Sequence, residues 1–285
     1  MTDFKNKKVG ISGGGGFLST ELTKQFLERG ANVRAFSRNE TKLFQLKEKF
    51  PSVEVMPVDI FHRCSVAQAM EGVDILIHAA AVKIVQMSET FTTQTVRTNV
   101  IGTLNILEES LFTKPEALVY ISTDKCSSIR GFYASSKSLG EGMMQEFQTI
   151  NKDTRYITPR YGNIIFSSNS VIPKWLGLLN EGRDIELHNP ESSRFLWSVS
   201  QAADFIFDRL ENATSAAPQI PTHMKGMRMD KLLEAFLLKY AKGKKVNVNI
   251  TSLGNADNLH ERLVENGPTS AEVEQWTIEE ILPLI

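Results

Sequence analysis

Short apolar runs alternate with amphipathic segments through the first half of the chain. The apolar runs predict strands at residues 8–12, 32–37, 53–58, 73–78, 117–122 and 155–160. The amphipathic stretches between them predict helices at residues 18–29, 39–50, 65–70, 92–111 and 135–151. Strands that alternate with helices form a parallel sheet covered on both faces. The pattern therefore predicts an α/β fold, a doubly wound parallel Rossmann sheet.

The alternation weakens beyond residue 164. Four prolines interrupt it there: Pro173, Pro190, Pro218 and Pro221. Helical patterns at 201–210 and 230–240 lie between irregular stretches. We therefore expect a Rossmann domain over residues 1–164 and a smaller, less regular substrate lobe over 165–285, with some segments of the lobe returning to the sheet.

Composition narrows the classes of partner and cofactor. The 285 residues carry a formal net charge of −1, so no long-range field attracts nucleic acid or an anionic membrane. Two cysteines are too few for a disulfide framework, and no leader or membrane-length apolar run is evident, which predicts a cytoplasmic protein. The five histidines are scattered without metal-ligand spacing, so we predict no metal site.

Four consecutive glycines separate the first predicted strand from the first predicted helix. Glycine permits positive φ angles and close approach of a pyrophosphate, and the N-terminus of the next helix attracts the same anion. Gly13, Gly16, Phe17 and Leu18 are therefore predicted to bind a dinucleotide. Ser19 stands where a third glycine is usual, which predicts a slight spreading of helix from strand. The alternative is an ordinary flexible loop.

The end of the second strand is expected to select the cofactor. It carries Ser37 and Arg38 in place of the acidic residue that binds the ribose of NAD. Arg38 can hold a 2′-phosphate, which favours NADP over NAD. The alternatives are a solvated arginine or one stacked on adenine. Asp59, followed by Ile60 at the end of the third strand, is placed to bond the adenine amino group or to cap the next segment.

Candidate redox chemistry follows the fourth and fifth strands. Ala79 and Ala80 are small enough to let a cofactor lie flat across the strand ends. Tyr133 and Lys137 are four residues apart, a spacing that shares one face of a helix. Lys137 can bind the cofactor ribose and promote ionisation of the Tyr133 phenol. The phenol can then take a hydroxyl proton while a hydride leaves for nicotinamide.

These motifs, with His78 and Asn99, resemble the extended short-chain dehydrogenase/reductase superfamily. Within it, the chain resembles the inverting UDP-N-acetylglucosamine 4,6-dehydratases and their polysaccharide-biosynthesis relatives. The stretches that carry this likeness include Ser-Thr-Asp-Lys at 122–125, Arg-Tyr-Gly-Asn at 160–163 and Leu-His-Glu at 259–261. The likeness covers nearly the whole chain, and its most specific element is the pair Asp124 and Lys125.

The resemblance implies a nucleotide-sugar substrate and a reaction that removes water from it. Tyr133 would take the proton of the 4-hydroxyl as carbon 4 gives up hydride, and Thr123 would bond that hydroxyl. Lys125, as a neutral amine, would take the proton of carbon 5, and Asp124, as an acid, would protonate the departing 6-hydroxyl. Return of hydride to carbon 6 would regenerate the cofactor. The alternatives are a weak loop salt bridge for Asp124 and Lys125 and a turn role for Thr123.

The resemblance also assigns Lys83, Asn163 and Arg194 to substrate binding, although such side chains are often solvated surface groups. Residues 166–170 hold serine and asparagine where relatives have an arginine and a glycine, and residues 254–258 replace Arg-Pro-Gly-Glu-Lys. Cations that would hold a diphosphate are thus missing. These departures leave the identity of the sugar open.

Two other functions stay open at this point. One is a nucleotide-sugar 4-epimerase or 4-keto-reductase, which shares the tyrosine chemistry but does not need Lys125. The other is an NADP-binding sensor or scaffold without turnover, which the intact Tyr133 and Lys137 pair disfavours. Because relatives assemble through helices that flank the sheet, we expect a homo-oligomer.

Overall fold

The computed structural model describes residues 4–243, 245–254 and 256–285. The strands are β1 (Lys8–Ser12), β2 (Asn32–Ser37), β3 (Glu54–Pro57), β4 (Ile75–His78), β5 (Ala117–Tyr120), β6 (Ser122–Thr123), β7 (Arg155–Tyr161), β8 (Asn163–Ile164), β9 (Ile185–His188), β10 (Ser193–Trp197), β11 (Pro218–Gln219), β12 (Gly226–Arg228) and β13 (Val248–Thr251). The α-helices are α1 (Phe17–Glu28), α2 (Glu40–Lys49), α3 (Arg63–Met70), α4 (Val85–Thr90), α5 (Thr92–Thr95), α6 (Gly102–Thr113), α7 (Gly131–Ile150), α8 (Val171–Asn180), α9 (Val199–Asn212), α10 (Met229–Tyr240) and α11 (Ile278–Ile281). A π-helical turn covers Val96–Ile101, and a 3₁₀ turn covers Asp124–Ser127.

The main sheet has the strand order β11-β7-β5-β4-β1-β2-β3, with β6 paired to β7. Its neighbours along this path pair in parallel. The order reverses between β1 and β4, which is the point where doubly wound sheets bind ligands beyond the carboxyl ends of their strands. This topology confirms the predicted Rossmann fold.

Most predicted elements of the first half exist within one or two residues of their predicted ends, and β1 and β2 match exactly in extent. The prediction of a single helix at 92–111 is wrong in one respect, because the π-helical turn Val96–Ile101 interrupts it between α5 and α6. Helix α4, which precedes this range, was not predicted. Apolar residues spaced by three and four do not distinguish a π turn, which has one extra residue, from an α-helical turn. The helix predicted at 135–151 begins earlier, at Gly131, so Tyr133 lies in its first turn.

Pro173 does not interrupt regular structure, contrary to the expectation from sequence. It is the third residue of α8, whose N-cap is Ser170. The first turn of a helix tolerates proline because its N–H groups have no partner within the helix. At position 173, proline therefore marks the start of a helix.

The chain divides into two compact units. The first comprises Met1–Thr123, Gly131–Arg160 and Ala203–Gln219, and the second comprises Asp124–Arg130, Tyr161–Ala202 and Ile220–Ile285. The boundary at residue 164 stays a prediction. Residues 203–219, which include β11, belong to the first unit, and the 3₁₀ turn at 124–127 belongs to the second.

Each unit has its own apolar core. In the first, buried side chains such as Phe36, Leu76 and Tyr156 pack around the main sheet. In the second, β12-β10-β8 and β13-β9 form two small sheets. Their core includes Trp175 and Phe236, whose ring centroids are 5.4 Å apart. Trp175 is fully buried and donates from Nε1 to the Glu186 carbonyl at 3.0 Å, which places it in the core.

Candidate active site

The glycine loop of the first unit is folded tightly between its neighbours. Gly13 and Gly15 both have φ of 74°. A Cβ at Gly13 would lie 2.9 Å from the Ala80 nitrogen, and one at Gly15 would lie 2.6 Å from the Lys42 carbonyl oxygen. Helix α1 starts directly after Gly16 with no side-chain cap, so its first N–H groups are left for an anion. The loop and the helix start, with Phe17 and Leu18, fit the pyrophosphate of a dinucleotide.

A buried hydrogen-bond network ties the ends of β1 and β4 together. Ala79 and Ala80 donate their backbone N–H groups to Ser12 Oγ at 3.1 Å each. Ser12 Oγ is also 2.7 Å from His78 Nδ1, and His78 Nε2 is 2.9 Å from Thr103 Oγ1. Thr103 donates to the Asn99 carbonyl, so the network assigns the proton to His78 Nε2 and makes Nδ1 the acceptor.

His78 is a neutral connector in this network. Complete burial, followed by the positive charge of Lys137, lowers its pKa from 6.5 to about 3. The histidine therefore holds Ser12, which in turn holds the backbone at Ala79 and Ala80. Sequence reasoning treated His78 only as the end of a strand and missed this role, because nothing in local spacing pairs it with Ser12.

The residues predicted to select the cofactor lie at the ends of β2 and β3. The Arg38 side chain is 48% exposed, and its Nη1 lies 3.8 Å from Asp59 Oδ2. Asp59 Oδ1 accepts the Phe61 N–H at 3.0 Å, and the N-cap of α3 is His62. Asp59 therefore caps a turn and not the helix. Ser37 ends β2, and Ile60 is buried.

Two lysines supply positive charge beside the glycine loop. Burial lowers the pKa of Lys83, and the charge of Lys42 lowers it further. Lys42 lies in the first turn of α2, where its N–H donates to Asn39 Oδ1 at 2.9 Å. Two cations close enough to repel each other favour an anionic ligand. Lys42 was missed from sequence because a lysine in a helix usually faces solvent.

Helix α7 carries both Tyr133 and Lys137, one turn apart. Lys137 is 4% exposed, and its Nζ lies 3.8 Å from the centroid of the Tyr120 ring. Ser136 Oγ donates to the Tyr133 carbonyl at 2.8 Å and accepts from Asn99 Nδ2 at 2.9 Å. Asn99 therefore fixes the first turn of α7 through its hydrogen bond with Ser136.

Asn99 also binds the loop that follows β4. Its Oδ1 accepts the Val82 N–H at 2.7 Å, and its Nδ2 donates to the Val82 carbonyl at 3.0 Å. Asn99 lies in the π-helical turn Val96–Ile101 and is itself buried. The turn therefore presents one amide to the β4 loop and to α7 at once.

A buried ion pair supports the strand that leads to Thr123. Arg160 donates from Nε and Nη2 to the two oxygens of Glu141, at 2.9 and 2.6 Å. Ser122 Oγ donates to the same carboxylate. Because Glu141 is one turn beyond Lys137 on α7, this triad holds β6, which ends at Thr123, against the helix.

Asp124 and Lys125 directly follow Thr123 in the chain and belong to the second unit. Asp124 is buried in the 3₁₀ turn. A Cβ at Gly162 would lie 3.1 Å from Asp124 Oδ2 and 2.5 Å from Phe195 Cβ, so glycine at 162 leaves room for the carboxylate. Ser127 anchors the turn by donating to the Arg262 carbonyl at 2.6 Å.

Lys125 makes a close ion pair with Glu261, whose side chain has no solvent exposure. Arg194 Nε lies 3.9 Å from the same oxygen, and Asn258 Nδ2 donates to the other at 3.0 Å. Burial alone would raise the pKa of Glu261, but the charges of Lys125 and Arg194 and these hydrogen bonds hold it below its ordinary value. The role of Glu261 was missed from sequence because it lies 136 residues from Lys125.

The residues predicted to bind substrate are placed differently from one another. The Arg194 side chain is 12% exposed and donates to the carbonyls of Ser193 and Leu259. Asn163 is exposed on β8, opposite Leu196 of β10. Lys83 belongs to the first unit, as described above. Their roles in substrate binding stay predictions.

The stretches 166–170 and 254–258 depart from the family pattern. In the loop at 166–170, Phe166 and Asn169 both have φ of 62°, a region that strains a phenylalanine. The loop thus keeps left-handed positions without a glycine. In the stretch 254–258, Asn255 lies outside the described residues.

The sequence profile of the polysaccharide biosynthesis protein family matches residues 9–281. The chain belongs to this family. It is an extended short-chain dehydrogenase/reductase that resembles inverting UDP-N-acetylglucosamine 4,6-dehydratases. One such enzyme of Campylobacter jejuni is 28% identical over 229 residues, which cover 77% of this chain and 69% of the relative.

The chain is also similar to proteins that are not described as dehydratases. A UDP-glucose 4-epimerase of Rickettsia rickettsii is 29% identical over 218 residues, covering 73% of this chain and 64% of the relative. A Methanocaldococcus jannaschii protein described as an uncharacterised membrane protein is 26% identical, covering 98% and 84%. In this protein, no helix of the described residues combines the length and apolar composition needed to cross a bilayer.

Solved structures share the fold of this family member. The X-ray structure of Pen from Bacillus thuringiensis superposes with a TM-score of 0.93 at 24% identity, covering 100% of this chain and 98% of that one. At this identity the likeness establishes the fold alone.

Proposed function

We propose that the protein is an NADP-dependent nucleotide-sugar 4,6-dehydratase that acts on UDP-N-acetylglucosamine or a close relative. Family membership and the similarity to the Campylobacter jejuni dehydratase support the reaction class. The single observation that carries the proposal is that buried Asp124 and largely buried Lys125 lie next to each other in the 3₁₀ turn directly after Thr123. Elimination of water needs such an acid and base, whereas hydride transfer at carbon 4 does not.

The first unit supplies residues that fit NADP. The glycine loop and the open start of α1 suit the pyrophosphate, Ala79 and Ala80 suit the flat ring, and Arg38 suits a 2′-phosphate. When bound, the cofactor accepts a hydride from carbon 4 of the sugar and returns it to carbon 6. Lys137 is proposed to bind the ribose.

The chain's own side chains are proposed to move the protons. Tyr133 takes the proton of the sugar's 4-hydroxyl, which Thr123 holds by a hydrogen bond. The resulting 4-ketone acidifies carbon 5, whose proton passes to Lys125. Asp124 donates a proton to the 6-hydroxyl, which leaves as water. Arg194, Asn163 and Lys83 are proposed to hold the nucleotide diphosphate and sugar.

A 4-epimerase or 4-keto-reductase is the second candidate. The 29% identity to the Rickettsia rickettsii UDP-glucose 4-epimerase favours it. Such an enzyme would use Tyr133 and Lys137 and would have no need for Lys125.

The test is to incubate the protein with UDP-N-acetylglucosamine and trace NADP⁺ in deuterated water and to measure the product mass. We expect loss of water with uptake of deuterium at carbon 5. Isomerisation with unchanged mass would favour the epimerase and contradict the dehydratase. The matched control is a Tyr133→Phe protein, for which we expect product to form about 10³-fold more slowly.

Assembly and location are also proposals. We propose a cytoplasmic homo-oligomer. Assembly is supported by large apolar side chains that lie exposed on the flanking helices, at Val96, Ile101, Phe112, Leu139 and Ile150. Light scattering coupled to size exclusion should give a mass above that of one chain. A monomer at micromolar concentration would contradict this.

A further inference from the structure

The aromatic ring of Tyr120, at the end of β5, lies against Lys137 of α7. Tyr120 is fully buried, and the Lys137 Nζ atom is 3.8 Å from the centroid of its ring. The Tyr120 hydroxyl donates to the Lys137 carbonyl oxygen at 3.2 Å. The ring is therefore bonded to the backbone of the same residue whose ammonium group lies over its face.

Helix α7 has a glycine where it meets this ring. A Cβ at Gly140 would lie 2.1 Å from the Tyr120 hydroxyl oxygen and 2.3 Å from its Cζ, so a larger residue would force the ring or the helix to move. Glycine is less favourable than alanine inside a helix, so position 140 favours the fit of Tyr120 over helix propensity. The ring therefore has little freedom to move away from Lys137.

The electrostatics of this contact favour a charged lysine. The face of an aromatic ring attracts a cation through its quadrupole, and the attraction is stronger where water is excluded. Lys137 is only 4% exposed, so its ammonium group meets this condition. The ring of His78, whose centroid is 5.6 Å from that of Tyr120, is neutral, because burial and the charge of Lys137 lower its pKa to about 3. His78 thus adds no positive charge that would repel the ammonium group from Tyr120.

We propose that Tyr120 is a positioning residue whose ring holds the Lys137 ammonium group in place for the ribose of the cofactor. The proposal rests on the binding of NADP by Lys137 proposed above. Without the ring, the long side chain of Lys137 would have to be ordered when the cofactor binds, at a cost in affinity. Tyr120→Leu, which removes the ring, should therefore weaken NADP⁺ binding about tenfold. Tyr120→Phe keeps the ring face and should stay within about threefold of the wild type.

The experiment places phenylalanine and its mono-, di- and trifluorinated forms at position 120. Fluorine withdraws electrons from the ring face and weakens its attraction for a cation, while the size of the ring changes little. We expect NADP⁺ affinity, measured by calorimetry without any sugar, to fall stepwise along the series, by about tenfold for the trifluorinated ring. The matched control is Tyr156, a buried tyrosine of the same unit whose hydroxyl lies 2.8 Å from Ser110 Oγ. The same series at position 156 should leave the affinity unchanged.

Two further measurements separate positioning from packing, and the fluorinated series keeps the proposal falsifiable if Tyr120→Leu folds poorly. In a Lys137→Met background, the fluorinated rings should cost no further affinity, because the cation is absent. In the protein without cofactor, the Cε protons of isotopically labelled Lys137 should show an upfield ring-current shift that Tyr120→Phe keeps and Tyr120→Leu loses.

The outcomes distinguish this inference from the function on which it rests. Equal affinity along the series at position 120, or an equal loss at position 156, would overturn the role of Tyr120 and leave the dehydratase function standing. Failure of the wild-type protein to bind NADP⁺ would overturn the proposed function and this inference with it.

Discussion

The two units of the protein assemble their polar side chains in different ways. In the first, one helix, α7, supplies Tyr133, Lys137 and Glu141 at successive turns. In the second, Glu261 pairs with Lys125 and lies near Arg194, and these contacts join three segments distant in sequence. A regular element carries the proposed redox chemistry, whereas tertiary packing of irregular segments carries the proposed proton chemistry.

The difference indicates how each kind of site can vary. A helix that is anchored by a buried ion pair keeps the spacing of its side chains even when the sequences of the surrounding loops change. A cluster built from three separate segments changes when any one of them changes. Hydride chemistry can therefore stay constant while the later steps diverge, which agrees with relatives described both as dehydratases and as epimerases.

Removal of the Tyr133 hydroxyl should have the largest effect. We expect Tyr133→Phe to reduce hydride transfer about 10³-fold, because the variant lacks the phenol proposed as the base. Cofactor affinity, measured by fluorescence titration, should change by less than about threefold, since the proposed contact with the ribose is made by Lys137. Tyr240→Phe, in the second unit, is the control. An active Tyr133→Phe protein would remove the redox role of α7.

Breaking the buried ion pair of the first unit should cost the most stability. Glu141→Gln leaves the Arg160 guanidinium buried without its carboxylate, and we expect a loss of about 3–5 kcal/mol in the free energy of unfolding. Urea denaturation gives the value. Exposed Glu146 on the same helix is the matched control, and Glu146→Gln should stay within about 0.5 kcal/mol. An unchanged Glu141→Gln midpoint would mean that α7 is anchored by other contacts.

His78 should make the first unit sensitive to acid. Its pKa falls from 6.5 to about 3 on folding, chiefly by burial, so the unfolded chain binds the proton more readily. Its contribution is complete above pH 6.5 and is lost as the pH falls towards 3. Between pH 6.5 and about 4.5 the free energy of unfolding should fall by about 2–3 kcal/mol. His78→Gln should lack this slope, and equal slopes in both proteins would contradict a neutral buried His78.

Arg38 should have the smallest effect of the four. In Arg38→Ala, we expect the ratio of NADP to NAD affinity to fall about tenfold, the size expected for one charge-assisted hydrogen bond at an exposed site. Isothermal titration with both cofactors measures the ratio. Exposed Arg183, in the second unit, is the control for lost charge. An unchanged ratio would mean that Arg38 does not select NADP. Either Lys42 would then select it, or the protein would have no preference for NADP.

Local patterns predicted the elements and spacings that a single stretch of chain determines. Buried parallel strands are short and mostly apolar, so β1 and β2, whose apolar residues lie between polar ends, could be placed to the residue. Tyr133 and Lys137 could be paired because four residues make about one helical turn. The π-helical turn at Val96–Ile101 could not be predicted, because one added residue leaves the apolar pattern nearly unchanged.

Contacts between distant segments lay beyond the sequence. Nothing in a single chain pairs Ser12 with His78, or Lys125 with Glu261, because these contacts depend on how the strands and loops meet in three dimensions. Glu261 could be noticed only as part of a Leu-His-Glu stretch that resembles the family. Its burial between two cations became evident only from the structure.

The most direct test of the account follows Lys125→Ala in deuterated water with UDP-N-acetylglucosamine and NADP⁺. We predict that reduced nicotinamide forms at the wild-type rate while no water is lost and no deuterium enters carbon 5. Elimination at the full wild-type rate in this variant would contradict the assignment of proton chemistry to Lys125.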